Sequence, residues 1–450
     1  MKNPYSQRLS ILTIVAFLLS SFHMSAQDIN REVVSFKKRE VNAGWIFQLG
    51  KEREELRTDV SRFFEDQTSL NGGYRIENTF WNIQDYRQDE LNFSFDLGPF
   101  GAYGNWIDSS KVSNLKADQY LYGLRSSANL NYRYRYYYDA KNYTAFEFSG
   151  WGRYEVYRQS LDGTSIDSLG VVTDIDRTQT EDRLRYGFQA RGGFGIGRLS
   201  PMNHLMAAHF LLEKYYPGRI FSDYEIAQFA QVIAQMKNDR DFKEGHDTEK
   251  EMAALNQFLN GKFLLEPADA MLADWPYAEF DPRYEGKRFE MGPFFKYFNQ
   301  EPDFIWGGYI QYEDARYKNV NWNRNFSAGL TYNRYKKPDE KVTNSEDGLH
   351  PVFQNSYRDW MTAEIDLGWS YYSQLRSRFN FGVKYVPGID LNGFKDLGTL
   401  SHNFVPYVGY FSQLSSKSRI RLDFSWRIAD GEQFMVSGPE FSLGIYRSSY

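Results

Sequence analysis

The chain has 450 residues, no cysteine and a formal charge of −5. The missing thiols exclude a disulfide framework, a thiolate metal cluster and lipidation behind an export signal, and the acidic balance argues against nucleic acid, which rewards basic surfaces. With 34 Tyr, 36 Phe and 10 Trp at a mean hydropathy of −0.62, the sequence is too polar for a helical membrane protein, whose spans must be continuously apolar, yet it suits strands that are apolar only at alternate positions.

Residues 1–26 read as a signal peptide. Lys2 and Arg8 give a basic start, Leu9 to Phe22 an apolar run, and Ser25 and Ala26 the small residues before cleavage at Gln27. The run of about 14 residues falls short of the roughly 20 that a membrane helix needs. Its removal takes away two positive charges and no acids, so −5 becomes −7.

From there, apolar and polar residues alternate along residues 27–199 and again along 273–450. Leu91, Phe93, Phe95 and Leu97 alternate with Asn92, Ser94 and Asp96, and Leu184, Tyr186 and Phe188 with Arg183, Arg185 and Gly187. The same pattern holds for Ile365, Leu367 and Trp369 against Glu364, Asp366 and Gly368. A period of two in segments this long fits the ~9–11 tilted residues that cross a bilayer. The pattern predicts an all-β fold: a transmembrane antiparallel up-and-down β-barrel of about 14 strands, within a range of roughly 12–16. The strands fall near 41–50, 73–86, 91–104, 121–136, 143–157, 182–196, 287–298, 304–314, 324–335, 358–371, 376–386, 402–412, 417–429 and 437–448. With the C-terminus in the periplasm, the short links 87–90, 137–142, 315–323, 372–375 and 413–416 become inner turns. The long polar segments 51–72, 105–120, 158–181, 336–357 and 387–401 become outer loops.

Residues 200–272 break the alternation and predict a small α-helical subdomain, on the periplasmic side by the same parity. Pro201 is expected at the first position of one helix. Ser222 and Glu225 form the capping box of a second, with Tyr224, Ile226, Phe229 and Ile233 as its apolar stripe. A third runs from about Thr248 to Asn260.

Charges on the polar face must turn inward, because exposing them to lipid costs a few kcal/mol each near the midplane. Arg153, Arg185 and Arg191 are then expected to form a basic wall and Glu364 and Asp366 an acidic one, with Arg421 and Asp423 also facing the lumen as constriction candidates. No catalytic residue, metal site or cofactor is implied. His204 and His209 are five apart, off one helical face, and no Lys-Ser/Thr follows the glycines of 192–197 as a phosphate loop requires. His402, after Ser401, is the sole candidate for an alternative outer-rim hydrolase.

The last strand, with Phe441, Leu443 and Ile445 on one face and Tyr450 at the end, resembles the terminal strand of Gram-negative outer-membrane β-barrels. The resemblance implies outer-membrane lipid as surroundings and the barrel assembly machinery as a partner. Function is expected to be that of a porin-like channel for small solutes, capped or gated at the periplasmic mouth by residues 200–272. The alternative is a closed structural barrel whose helices dock a periplasmic protein.

Overall fold

Alternation becomes sheet wherever the backbone can pair on both sides. The computed structural model describes residues 35–57, 61–110, 113–167, 169–240, 247–277, 281–299, 303–345, 348–391, 400–415, 417–430 and 438–449. Residues 1–26, read above as a signal peptide, and Tyr450 lie outside them. The strands are β1 (Phe36–Arg57), β2 (Ser61–Ile83), β3 (Arg87–Ser110), β4 (Ser113–Tyr137), β5 (Asn142–Asp167), β6 (Val172–Pro201) and β7 (Tyr284–Phe298). They continue as β8 (Phe304–Tyr317), β9 (Trp322–Ser345), β10 (Gly348–Gln374), β11 (Ser377–Tyr385 and Gly388–Asp390), β12 (Leu400–Gln413), β13 (Ser418–Asp430) and β14 (Gly438–Ser449). Pro387, with no N–H to donate, interrupts β11, but both halves pair with β10 and β12. Each strand lies antiparallel to its chain neighbours, and β14 pairs with β1 from Val41↔Ser449 to Gly50↔Glu440. Among the described residues this is a closed barrel of fourteen strands, the predicted fold.

Burial is inverted relative to a water-soluble protein. Trp45, Leu124 and Phe194 are 59%, 61% and 68% exposed on the outside, while Glu40 and Glu155 are 2% and 0% exposed within. Aromatic contacts such as Trp322 with Tyr371 and Phe379 with Tyr410 continue around the outer surface. Apolar outside and polar inside is the arrangement that a bilayer selects.

The predicted outer loops are the main correction. Residues 51–72 pair with each other up to Arg57↔Arg62, 158–181 up to Ile166↔Val172, and 105–110, 113–120, 336–345 and 348–357 are likewise strand. Of 387–401, residues 388–390, 400 and 401 are strand, and 392–399 lie outside the described residues. Beyond a bilayer neither sheet face must be apolar, so the hydrogen-bond ladder continues after the alternation that betrays it has stopped. The wall is uneven, because β7 and β8 end at Phe298 and Phe304 while β6 extends back to Val172. Asn299 finishes the low corner: its side chain accepts from Tyr186 N at 2.7 Å and donates to Leu184 O at 2.7 Å.

Between β6 and β7 lie α1 (Asn203–Tyr215), α2 (Asp223–Asn238) and α3 (Thr248–Phe263), then two short 3₁₀ turns (Asp269–Ala273 and Trp275–Tyr277). The Ser222–Glu225 capping box forms as expected, and Asp247 caps α3 by accepting from Glu249 N and Lys250 N. Pro201 differs from expectation: it stands in the last ladder pair of β6, opposite Tyr284, and α1 begins two residues later. Tyr224 also leaves the predicted stripe, at 71% exposed. Leu211, Leu212, Phe229, Ile233, Leu255, Leu259, Met271 and Trp275 close the helical core, and Tyr372 and Leu375 of the barrel join it.

Candidate functional site

The barrel end where β1 begins and β14 ends, here the proximal end, is covered by the helices. Three attachments hold them. The chain itself enters from β6 and leaves into β7, where Arg283 N donates to Asn203 Oδ1 at 2.7 Å and the Arg283 guanidinium lies 3.7 Å from the Tyr372 ring centre. At β1, Asn238 of α2 donates to Ser35 O at 2.8 Å and accepts from Lys37 N at 2.7 Å, mimicking a strand. At the β10–β11 turn, Arg376 donates to Ala273 O at 2.9 Å and pairs with Asp274 at 3.2 Å. Counted around fourteen strands, these points are spread over the whole rim, so the helical layer spans the mouth.

Asp274 is the electrostatic centre of that layer. Burial alone would raise its carboxyl, but hydrogen bonds from Lys214 and Tyr215 and the charges of Lys214 and Arg376 outweigh it and hold the group below the usual carboxylate range. Tyr215, half-buried and donating to Asp274 at 2.8 Å, is pushed up to about 12. On the segment leading into β7, Asp281 meets Arg378 at 3.3 Å. The carboxylate is half-exposed and loses part of its hydration at the barrel mouth, which alone would raise it, but the charges of Arg378, Lys38, Arg419 and Arg421 bring it down to about 2.

Above this floor, most inward charges are paired, as follows from the cost of an unpaired charge in a confined space. Glu155 lies within 2.6 Å of Arg125, 2.8 Å of Arg183 and 4.0 Å of Arg153. Glu290 accepts from Arg135, Tyr309 and Tyr143 at 3.1, 2.8 and 3.3 Å. Gly193 and Gly195, in the segment that superficially resembles a phosphate loop, make room for this group: a Cβ on Gly195 would lie 2.2 Å from the Tyr143 ring, and one on Gly193 2.9 Å from the Tyr309 hydroxyl.

The seven lumen candidates separate into two sets. Arg153, Arg421 and Asp423 line one cavity of about 470 Å³, together with Arg125, Tyr407 and Glu440. Arg185 stands directly across from Arg153, and Asp366 accepts from Tyr407 at 3.0 Å, so both adjoin it. Arg191 instead reaches Glu147 at 2.5 Å, and Glu364 pairs with Lys384 at 2.6 Å. The expected triple-arginine wall is therefore assembled differently, with Arg125 and Arg183 beside Arg153 and Arg185 and with Arg191 drawn away. Arg125 shares the odd-numbered parity of Arg133 and Arg135, a signal already present in the sequence.

His402 Nδ1 lies 2.8 Å from the Tyr385 hydroxyl, while Ser401 Oγ donates to Gly388 O, so Ser401 and His402 form no dyad. Among the described residues no cluster of His, Asp and Glu suits a metal ion. His209 meets Glu213, at 3.1 Å, in a pair spaced i, i+4.

No family model and no curated protein matches the sequence. Among solved structures, the chain is similar to the β domain of the Bordetella autotransporter BrkA, with 8% identity over 91% of this chain and 99% of that one and a TM-score of 0.35. It is also similar to the Pseudomonas putida toluene transporter TodX (8%, 91% and 89%, TM-score 0.33) and to the Escherichia coli outer membrane protease OmpT (8%, 94% and 98%, TM-score 0.26). Such scores carry no inference about activity, and the assignment rests on the sheet itself. Closed on β1 and β14, apolar outside and charged within, the chain is a β-barrel of the outer-membrane type.

Proposed function

We propose that this protein is exported to the outer membrane and acts there as a porin-like channel for small solutes, its periplasmic mouth capped by residues 203–277. The observation that carries the reading is the three-point attachment of the helical layer beneath a lumen that still holds open cavities. A purely structural barrel has no need of a covered mouth under an unfilled interior. Arg125, Arg153 and Arg421 against Asp423 and Glu440 give the 470 Å³ cavity one more positive than negative charge, which favours anionic or neutral solutes over cations. Conduction then requires that the cap move. In planar bilayers the native protein is expected to show small, infrequent openings, and the double variant Asn238→Ala/Arg376→Ala a larger and steadier current. Silence of both proteins would sink the channel reading.

The cap carries its own pH dependence. Asp274 and Asp281 have folded pKa values below the ordinary ~3.9. Their contribution to docking is therefore complete above that value and is lost as pH falls through the folded values. Conductance is expected to be flat from about pH 5 to 8 and to rise between about pH 4 and 2. Asp274→Asn should remove part of that rise. A transition centred near neutrality would contradict the assignment.

A second reading, a docking platform for a periplasmic protein, is favoured by three exposed apolar side chains on the helical layer. Ile220, Tyr224 and Leu264 are 98%, 71% and 87% exposed.

A further inference from the structure

The wall from β2 to β6 carries a feature that the channel reading leaves unused. Thr79, Asn92, Asn131, Ser149 and Gln189 sit directly opposite one another on five successive strands, forming one unbroken cross-strand line of neutral polar side chains that face the lumen. The line one row closer to the proximal end is Trp81, Glu90, Arg133, Glu147 and Arg191, and its charges are satisfied internally. Arg133 and Arg191 reach Glu147 at 3.3 and 2.5 Å, and Glu90 accepts from Tyr284 at 2.9 Å. The neutral line is not satisfied. Among the described residues Asn92, Asn131 and Ser149 make no side-chain hydrogen bond, and Asn129, one row further on, makes only a 3.5 Å contact with Ser94.

These groups border a separate cavity of about 520 Å³, within the roughly 300–1,000 Å³ typical of small-molecule sites. Trp81 and Trp151 also line it, at diagonally opposite corners. Both have inward parity, unlike most aromatic residues of the barrel, and Trp151 remains 38% exposed although it points inward. They lie three strands apart, about 14 Å at ~4.8 Å per strand, and four residues apart along the strands, about 13 Å at ~3.3 Å per residue, so the diagonal between their backbone positions is roughly 19 Å, too far to clamp a single ring.

We propose that this cavity binds a neutral oligosaccharide of a few units. Vicinal hydroxyls would engage the amides of Asn92, Asn129 and Asn131 and the Ser149 hydroxyl, while the C–H faces of terminal rings stack on Trp81 and Trp151. Planar amides offer a donor and an acceptor side by side, the pairing that adjacent hydroxyls require. An ionic solute gains little here, because the nearest charges already neutralise one another. The inference deepens the channel reading by naming a solute class, and it rests on the lumen being accessible to solutes.

The test is isothermal titration of the refolded full-length protein in detergent micelles with maltotriose and with cellotriose, and with citrate as an anionic control. At least one trisaccharide should bind saturably, citrate should not compete, and affinity should fall tenfold or more in Trp151→Ala and several-fold in Asn131→Ala. Trp151→Phe should restore most of the loss, and Trp322→Phe, on the outer surface, should bind like the native protein. Heat-modifiable migration on gels checks that each variant folds; should Trp151→Ala fail to fold, Trp151→Phe and Asn131→Ala carry the comparison. No saturable binding of either sugar up to about 10 mM, where affinity is weaker than ~3 kcal/mol, overturns the proposal. So does binding that neither Trp151→Ala nor Asn131→Ala weakens. Because binding in micelles needs no current, a conducting barrel that ignores sugars refutes this inference alone, and a silent barrel that binds them refutes the channel reading alone.

Discussion

Glu155→Ala is expected to destabilise the barrel by about 3–5 kcal/mol, the cost of removing one partner from a buried charge cluster. Its carboxylate is fully buried and is approached by Arg125, Arg153 and Arg183. Its loss leaves three guanidinium groups facing one another, with Arg185 directly across from Arg153. Glu155→Gln should cost less, since an amide oxygen still accepts from Arg125 and Arg183 although the charge is gone. Guanidinium unfolding in micelles measures both, and an alanine variant within about 1 kcal/mol of the native protein would show that water already screens the cluster. A permeable barrel should also shift its reversal potential toward anions in either variant, because Arg125 and Arg153 line the 470 Å³ cavity.

The second large effect belongs to the helical layer. Trp275 is fully buried among the three helices, donates from Nε1 to Glu251 at 2.6 Å, and lies under the Lys237 ammonium at 4.8 Å. Trp275→Ala removes the largest side chain of that core, and large-to-small changes of this kind cost about 3–5 kcal/mol. The layer is small, so a loss of this size should melt it while the barrel keeps its gel mobility. Limited proteolysis should then cut within residues 203–277 and leave the strands intact. Resistance equal to that of the native protein would mean that the barrel rim, and not the core around Trp275, holds the helices in place.

The barrel was legible because lipid enforces a period of two, which made strand number, closure and the inward turn of the arginines readable from parity. Where lipid ends, so does the signal, which is why residues 51–57 and 172–181 look like loops and are strands. Individual partners require the register, which parity does not supply. Glu147 takes Arg191 because they are directly opposite on β5 and β6, and nothing in the local sequence distinguishes Arg191 from Arg185. Contacts such as Asn238 with Ser35 join segments more than 200 residues apart. Trp151 is a different case: it shares its odd parity with Glu147 and Arg153, so its inward direction could have been read as an aromatic residue out of place.

The three-point mounting of the helical layer has a consequence for how the mouth would open. When one attachment breaks, the other two keep its partners at high effective concentration, so the broken contact re-forms before the layer can swing away. Single losses at Asn238 or Arg376 should therefore change residence time little, whereas paired losses should act far beyond their sum. A mouth built this way resists chance fluctuations and yields to a stimulus that releases two anchors together.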